Sequence, residues 1–365
     1  MRYFKSQRKA GFFRPGFFRR LLCVGAAATL HALSPEIARA DESGVSFWIP
    51  GFFGSLAATP STPGWSMTSI YYHDQVSAGG DVARAREFQI GNIPANLTAT
   101  VNARVNATLD LGLLVGTYTF ATPVLGAQVS VALLGVYGSN STSLAGSLTG
   151  TLATPGGAIP FSRFDSIDSS LIAFGDLLPF YQMKWNSGVN NYMAYVTGDM
   201  PAGAYQSNRL ANLGLGHWAI DAGGGYTYFD PKTGHEASAV LGFTYNFINP
   251  ATQVQSGVDM HLDWGASQFL TKQIQVGLVG YVYQQLGCDG GSGDRVGCFR
   301  SRVVGVGPQF GYIFPISDKW QGYLNLKAYG EFANENRPAG WNLWLTFNLS
   351  PAATPPTSSR PMFTK

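Results

Sequence analysis

An alternation of apolar and polar residues recurs along this chain and restricts what it can fold into. At the odd positions of residues 97–109 stand Leu97, Ala99, Val101, Ala103, Val105, Ala107 and Leu109; at the even ones stand Thr98, Thr100, Asn102, Arg104, Asn106 and Thr108. Successive side chains of a β-strand point to opposite faces, so such a stretch makes a strand with one apolar and one polar side. The pattern returns in Ala237, Ala239, Leu241, Phe243, Tyr245 and Phe247 against Glu236, Ser238, Thr244 and Asn246. It returns again in Met260, Leu262, Trp264 and Ala266 against Asp259, His261, Asp263 and Ser267, and twice more between Trp320 and Leu349. After residue 40 no apolar run reaches the ~20 residues of a helical membrane span, and no helical periodicity competes. The chain is read as all-β.

Alternation also suits a soluble sandwich, whose apolar faces meet in a core. Loop lengths favour a transmembrane antiparallel β-barrel. Short turns at 186–188, 231–234, 271–272 and 315–318 interleave with longer connections at 198–215, 249–255, 288–298 and 334–340. Short turns on one rim and long loops on the other are the pattern of an outer-membrane barrel. The reading gives about 14 strands, with 12 as the alternative: five before Thr154 and nine from about Phe174, each near the ~10 residues of a tilted crossing. Trp65, Tyr71, Trp185, Tyr192, Trp218, Tyr228, Tyr312, Trp320 and Trp341 lie near strand ends, where aromatic rings form interfacial girdles.

The first forty residues read as a cleavable export signal. A basic stretch ends in Arg19 and Arg20, an apolar run follows to Leu33, and Ala38-Arg39-Ala40 has the small-x-small form of a cleavage site. Its removal takes eight basic residues and one acidic residue from a chain of formal charge +3, leaving −4. The basic balance belongs to the leader, which excludes the basic face that nucleic-acid binding requires. Cys23 leaves with it, and Cys288 and Cys298 remain, closing a Gly-rich polar loop. Export exposes them to an oxidising compartment, so a disulfide is expected. Residues 41–64, with Phe47, Trp48, Phe52 and Phe53 among Gly and Pro, are too apolar for a free tail and read as a plug in the lumen. Residues 65–349 read as the barrel, and 350–365 as a loose Pro-, Ser- and Thr-rich tail.

The second half resembles a family described as MetA-pathway of phenol degradation. The resemblance rests on Phe174-Gly-Asp-Leu-Leu-Pro179, Ser256-Gly-Val-Asp-Met-His-Leu-Asp263, Gly280-Tyr-Val-Tyr-Gln-Gln285, Gly307-Pro-Gln-Phe-Gly-Tyr312, Glu335-Asn-Arg-Pro-Ala-Gly340 and Trp344-Leu-Thr-Phe347. An N-terminal echo is Ile49-Pro-Gly-Phe-Phe-Gly54. The resemblance implies a barrel similar to channels that pass long-chain fatty acids and aromatic hydrocarbons. It carries over no catalytic residue.

With lipid outside, the polar faces line the lumen. The lining candidates are Arg104, Lys184, His217, Asp221, Glu236, Asp259, His261, Asp263, Tyr281, Tyr283, Lys327, Tyr329 and Glu331. They form either a selectivity lining or an inward network that fills the interior. Asp259, His261 and Asp263 also suggest a metal or catalytic cluster, but positions two apart on a strand sit about 7 Å apart, too wide for one Asp–His hydrogen bond. His261 with Ser267 or Ser238 is the material of a hydrolase without its motif. The expectation is therefore a passive outer-membrane channel of a Gram-negative-type cell, not an enzyme, with no cofactor and no metal. Its expected partners are outer-membrane lipids, a small hydrophobic or aromatic solute and the barrel assembly machinery. A closed structural or adhesive barrel and an outer-membrane acyl hydrolase are the alternatives.

Overall fold

Twelve antiparallel strands among the described residues close into one barrel in chain order. The structure is a computed structural model that describes residues 46–79, 100–154, 157–294, 297, 298 and 300–352. The export signal of residues 1–40 lies outside the described residues, as do residues 41–45 of the expected luminal segment and the tail from residue 353. The strands are β1 (Gly64–Gly79), β2 (Thr100–Thr119), β3 (Gln128–Thr154), β4 (Gly157–Ser187), β5 (Asn190–Asp199) and β6 (Ala219–Phe229). They continue with β7 (His235–Asn246), β8 (Asp259–Phe269), β9 (Ile274–Gln285), β10 (Arg302–Pro315), β11 (Trp320–Glu335) and β12 (Ala339–Pro351). The seam pairs β1 with β12, from Met67 opposite Leu349 to Ser77 opposite Ala339. Closure removes both sheet edges, and in hydrocarbon each unsatisfied backbone group would cost several kcal/mol.

The count of 14 is corrected to 12. A crossing length of ~10 residues divides the early strands, whereas β2, β3 and β4 run for 20, 27 and 31 residues. The separate strands expected at 111–122 and 141–153 are instead the continuation of β2, which ends at Thr119, and part of β3. Likewise β12 runs to Pro351, two residues into the segment assigned to the tail. The rim asymmetry is present. Connections 188–189, 230–234, 270–273 and 316–319 lie on one rim, together with the longer 120–127; 200–218, 247–258 and 286–301 lie on the other, where the long connection expected at 334–340 is instead the three residues 336–338. The 286–301 connection carries the disulfide between Cys288 and Cys298. With an even strand number, Gly64 and Pro351 lie on the short-turn rim.

On β7 every second residue is exposed: Ala237, Ala239, Leu241, Phe243 and Tyr245 face out, and Glu236, Ser238, Thr244 and Asn246 face in. Outward Met67, Leu133, Val196, Leu278, Phe310 and Leu345 continue this belt around the wall. Trp65, Tyr192 and Trp320 border it at the short-turn rim, while Trp218 and Trp341 border it on the other side. This is the surface that meets lipid.

On β1 to β3 the outer face changes character above Tyr71. Outward positions become His73, Gln75 and Ser77 on β1, Asp110, Thr108, Asn106 and Arg104 on β2, and Ser139, Ser141 and Ser143 on β3, in mutual register. Here the long strands rise past the bilayer, and water lies outside the wall. The apolar stripe must then turn inward: Ala103 and Val105 are buried and pack with Leu144 and Leu210. Arg104 is therefore exposed on the exterior, which corrects its assignment to the lumen. The period of two is present over residues 103–109, with its inner and outer faces exchanged; residues 97–99 lie outside the described residues.

Candidate functional site

Residues 46–59 have neither helical nor strand structure, so their backbone N–H and C=O groups need partners from elsewhere. Inward side chains of the barrel supply them. Asp263 on β8 accepts hydrogen bonds from the N–H of Gly51 at 3.0 Å and of Phe53 at 3.2 Å. Lys327 on β11 donates to the carbonyl oxygens of Gly51, Phe52 and Phe53 at 2.5, 3.2 and 3.3 Å. Further along, Glu236 accepts from the N–H of Leu56, Thr227 from that of Ala58, and Lys184 donates to the carbonyl of Thr59. Tyr329 reaches the Gly51 carbonyl, Ser46 donates to Asp259, and Gln309 donates to the hydroxyl of Ser55. Gly51 has φ +87°, and a Cβ there would stand 3.0 Å from the Tyr329 ring, so both conformation and space call for glycine.

Aromatic packing completes the attachment. The Trp48 indole stacks on the His261 imidazole, with centroids 3.6 Å apart and planes inclined by 13°. His261 is held from behind by Asp221 at 3.0 Å, which also accepts from Thr244 at 2.6 Å, and by the Tyr195 hydroxyl at 3.3 Å. Phe52 stacks on Phe180 and meets Trp344 edge-on.

Most of the lumen candidates thus converge on one segment. Lys184, Glu236, Asp259, Asp263, Lys327 and Tyr329 touch it through hydrogen bonds and His261 through its ring; Asp221 supports His261. Asp259, His261 and Asp263 do not form a shared cluster, since each has a different partner. Ser238 and Ser267 both donate to Glu236 rather than meeting His261. His217 is buried in the β5–β6 connection, just before β6, with Nδ1 2.9 Å from the carbonyl of Trp218. Tyr281, Tyr283 and Glu331 lie towards the long-loop side.

Over that side of the segment is a cavity of about 290 Å³. Phe47, Trp48, Ile49 and Phe52 border it from the segment, and Leu109, Leu111, Leu113, Leu134 and Leu178 from the barrel wall. The β5–β6 connection adds Leu210, Leu213 and Leu215. Asp176 ties this connection to β4 by accepting from the N–H of Gly203 at 2.6 Å and of Leu215 at 2.7 Å. It sits where β3 and β4 slip register between Gly135 and Tyr137. Polar groups border the cavity too: Asp74, Glu331 and Arg337 at one corner, and Asn140, Asp199, Arg209 and Asn212 elsewhere. Asp74, Asp176 and Arg337 were absent from the sequence-based candidates. Two of them stand inside the quoted segments Phe174-Gly-Asp and Glu335-Asn-Arg-Pro, a signal that could have singled them out.

The family model described as "Putative MetA-pathway of phenol degradation" matches residues 57–347. No curated protein matches the sequence. Among solved structures, the COG4313 outer membrane channel from Pseudomonas putida F1 is similar, with a TM-score of 0.59 at 14% identity over 84% of this chain and 100% of that one. A Pseudomonas aeruginosa FadL homologue superposes with a TM-score of 0.34 at 10% identity, covering 86% of this chain and 96% of that one. The fold is that of an outer-membrane channel barrel.

Proposed function

This chain belongs to the MetA-pathway of phenol degradation family, and from that premise we propose that it is an outer-membrane channel through which small hydrophobic or aromatic compounds pass without energy input. The observation that carries the reading is the cavity: it lies inside a lipid-facing barrel, yet leucines and aromatic rings make up most of its wall, with polar groups in the minority. A water-filled pore for ions would be lined mainly by polar groups. An apolar pocket with a few convergent polar groups suits a small hydrophobic solute. In this reading outer-membrane lipids surround the belt, the barrel assembly machinery inserts the chain, and the long loops face outward.

Purified full-length protein in liposomes is expected to speed the entry of a phenol-like solute several-fold over empty vesicles. Entry at the rate of empty vesicles would overturn the proposal. The grip on residues 46–59 favours a second reading, a barrel closed at rest. Single-channel recording separates the two, because a resolved open state is incompatible with a permanently sealed interior. A hydrolase reading has no support in the contacts of His261. Ester turnover that vanished in His261→Ala would restore it.

A further inference from the structure

Among the charged groups that border the largely apolar cavity, Asp74, Glu331 and Arg337 form one corner, and these three differ in what they have left to offer. Glu331 is engaged on both oxygens, accepting from the Tyr281 hydroxyl at 2.7 Å and from the N–H of Gly340 at 2.9 Å. Arg337 lies with its guanidinium 4.6 Å from the centre of the Tyr283 ring, and Pro338 behind it restricts its backbone. Its Nη1 is buried without a hydrogen-bond partner among the described residues, and so is Oδ1 of Asp74. The two side chains interact electrostatically and border the same cavity. One therefore holds unused acceptor capacity and the other unused donor capacity, and a buried polar group left unmet is costly.

We infer that this corner reads a single hydroxyl on an otherwise apolar solute and turns away carboxylates. A hydroxyl both donates and accepts, so it serves the Asp74 carboxylate and the Arg337 guanidinium at once. A small turn of the Asp74 carboxylate about its last, broad torsion brings either oxygen forward. A hydrocarbon without a polar group leaves both unmet. At this corner a carboxylate answers Arg337 alone, and it meets Asp74 and Glu331, which give the corner a formal charge of −1 (two carboxylates against one guanidinium). The inference rests on the cavity being where solute binds, as proposed above.

The test uses full-length protein in detergent micelles and three probes of matched apolar body: para-propylphenol, propylbenzene and para-propylbenzoate, titrated by calorimetry. The phenol is expected to bind about tenfold more tightly than propylbenzene, with the benzoate weakest. In Asp74→Leu and in Arg337→Met the phenol-to-hydrocarbon ratio is expected to fall towards one. Asp74→Asn, the conservative variant, is expected to raise benzoate affinity because the corner loses its excess negative charge. Unaltered ratios in all three variants, with propylbenzene still binding, would overturn the corner's role and leave the cavity reading standing. Failure of the wild-type protein to bind any of the three would overturn both.

Discussion

Lys327 and Asp263 grip the same three residues by opposite polarity: the ammonium takes the carbonyl oxygens of Gly51 to Phe53, and the carboxylate takes the N–H groups of Gly51 and Phe53. The two side chains come from β11 and β8, so the segment bridges parts of the wall that are not adjacent strands. Removing either partner leaves buried polar groups unpaired. Lys327→Met is expected to lower stability by roughly 3 kcal/mol in urea unfolding from micelles, as when one member of a buried charge pair is deleted. It is also expected to raise mean conductance in planar bilayers by loosening residues 51–53. A variant as stable and as silent as the parent would show that the grip is incidental.

Trp48 covers His261 with the whole face of its indole, and it is 3% exposed. Trp48→Ala removes that stack together with contacts to Phe52, Phe53 and Tyr195. The expected loss is about 3 kcal/mol, typical of truncating a large buried aromatic side chain. Limited proteolysis should then cut within residues 46–59 sooner than in the parent chain. Equal cutting rates would argue against the stack as an anchor.

Arg104 faces water above the lipid belt. Reversing its charge with Arg104→Glu is expected to leave the reversal potential in a salt gradient unchanged, because the side chain does not border the path. A clear shift would return it to the lumen.

In the 230–234 turn the N–H of Lys232 donates to Asp230 at 2.9 Å and the Thr233 hydroxyl at 3.0 Å. These bonds, the Lys232 N–H foremost, hold the Asp230 carboxyl below its ordinary range. A lowered folded value means that the contribution is complete above the unfolded value of ~3.9 and is lost as pH falls through the folded one. The Lys232 amide resonance should titrate with a midpoint below ~3.9, and Asp230→Asn should abolish the titration. A midpoint at or above that value would contradict the turn geometry.

What the sequence discloses of the structure depends on the residue. Glu236, Ser238 and Thr244 declared their face because the stretch lies within the bilayer, where apolar must mean outward. The stripe from Ala103 to Leu109 has the same pattern but stands in water, and period two alone does not say on which side the solvent lies. Strand number was lost in the same region, since a length rule set by hydrocarbon thickness does not apply to a wall that continues beyond it. The aromatic residues of positions 47–53 announced a segment that needs cover. Which side chains cover it depends on contacts more than two hundred residues apart in sequence, such as Gly51 with Asp263 and Lys327, and no local pattern encodes them. Arg337 was hidden for a simpler reason: it sits in a three-residue connection and shows no alternation.

The seam between Met67 and Leu349 also bears on how the molecule is made. Its partners are separated by nearly the whole barrel sequence, so the first strand has to wait with one side bare until the final strand has been delivered. A chain truncated before Ala339 would keep two sticky margins and invite strands from neighbouring molecules instead.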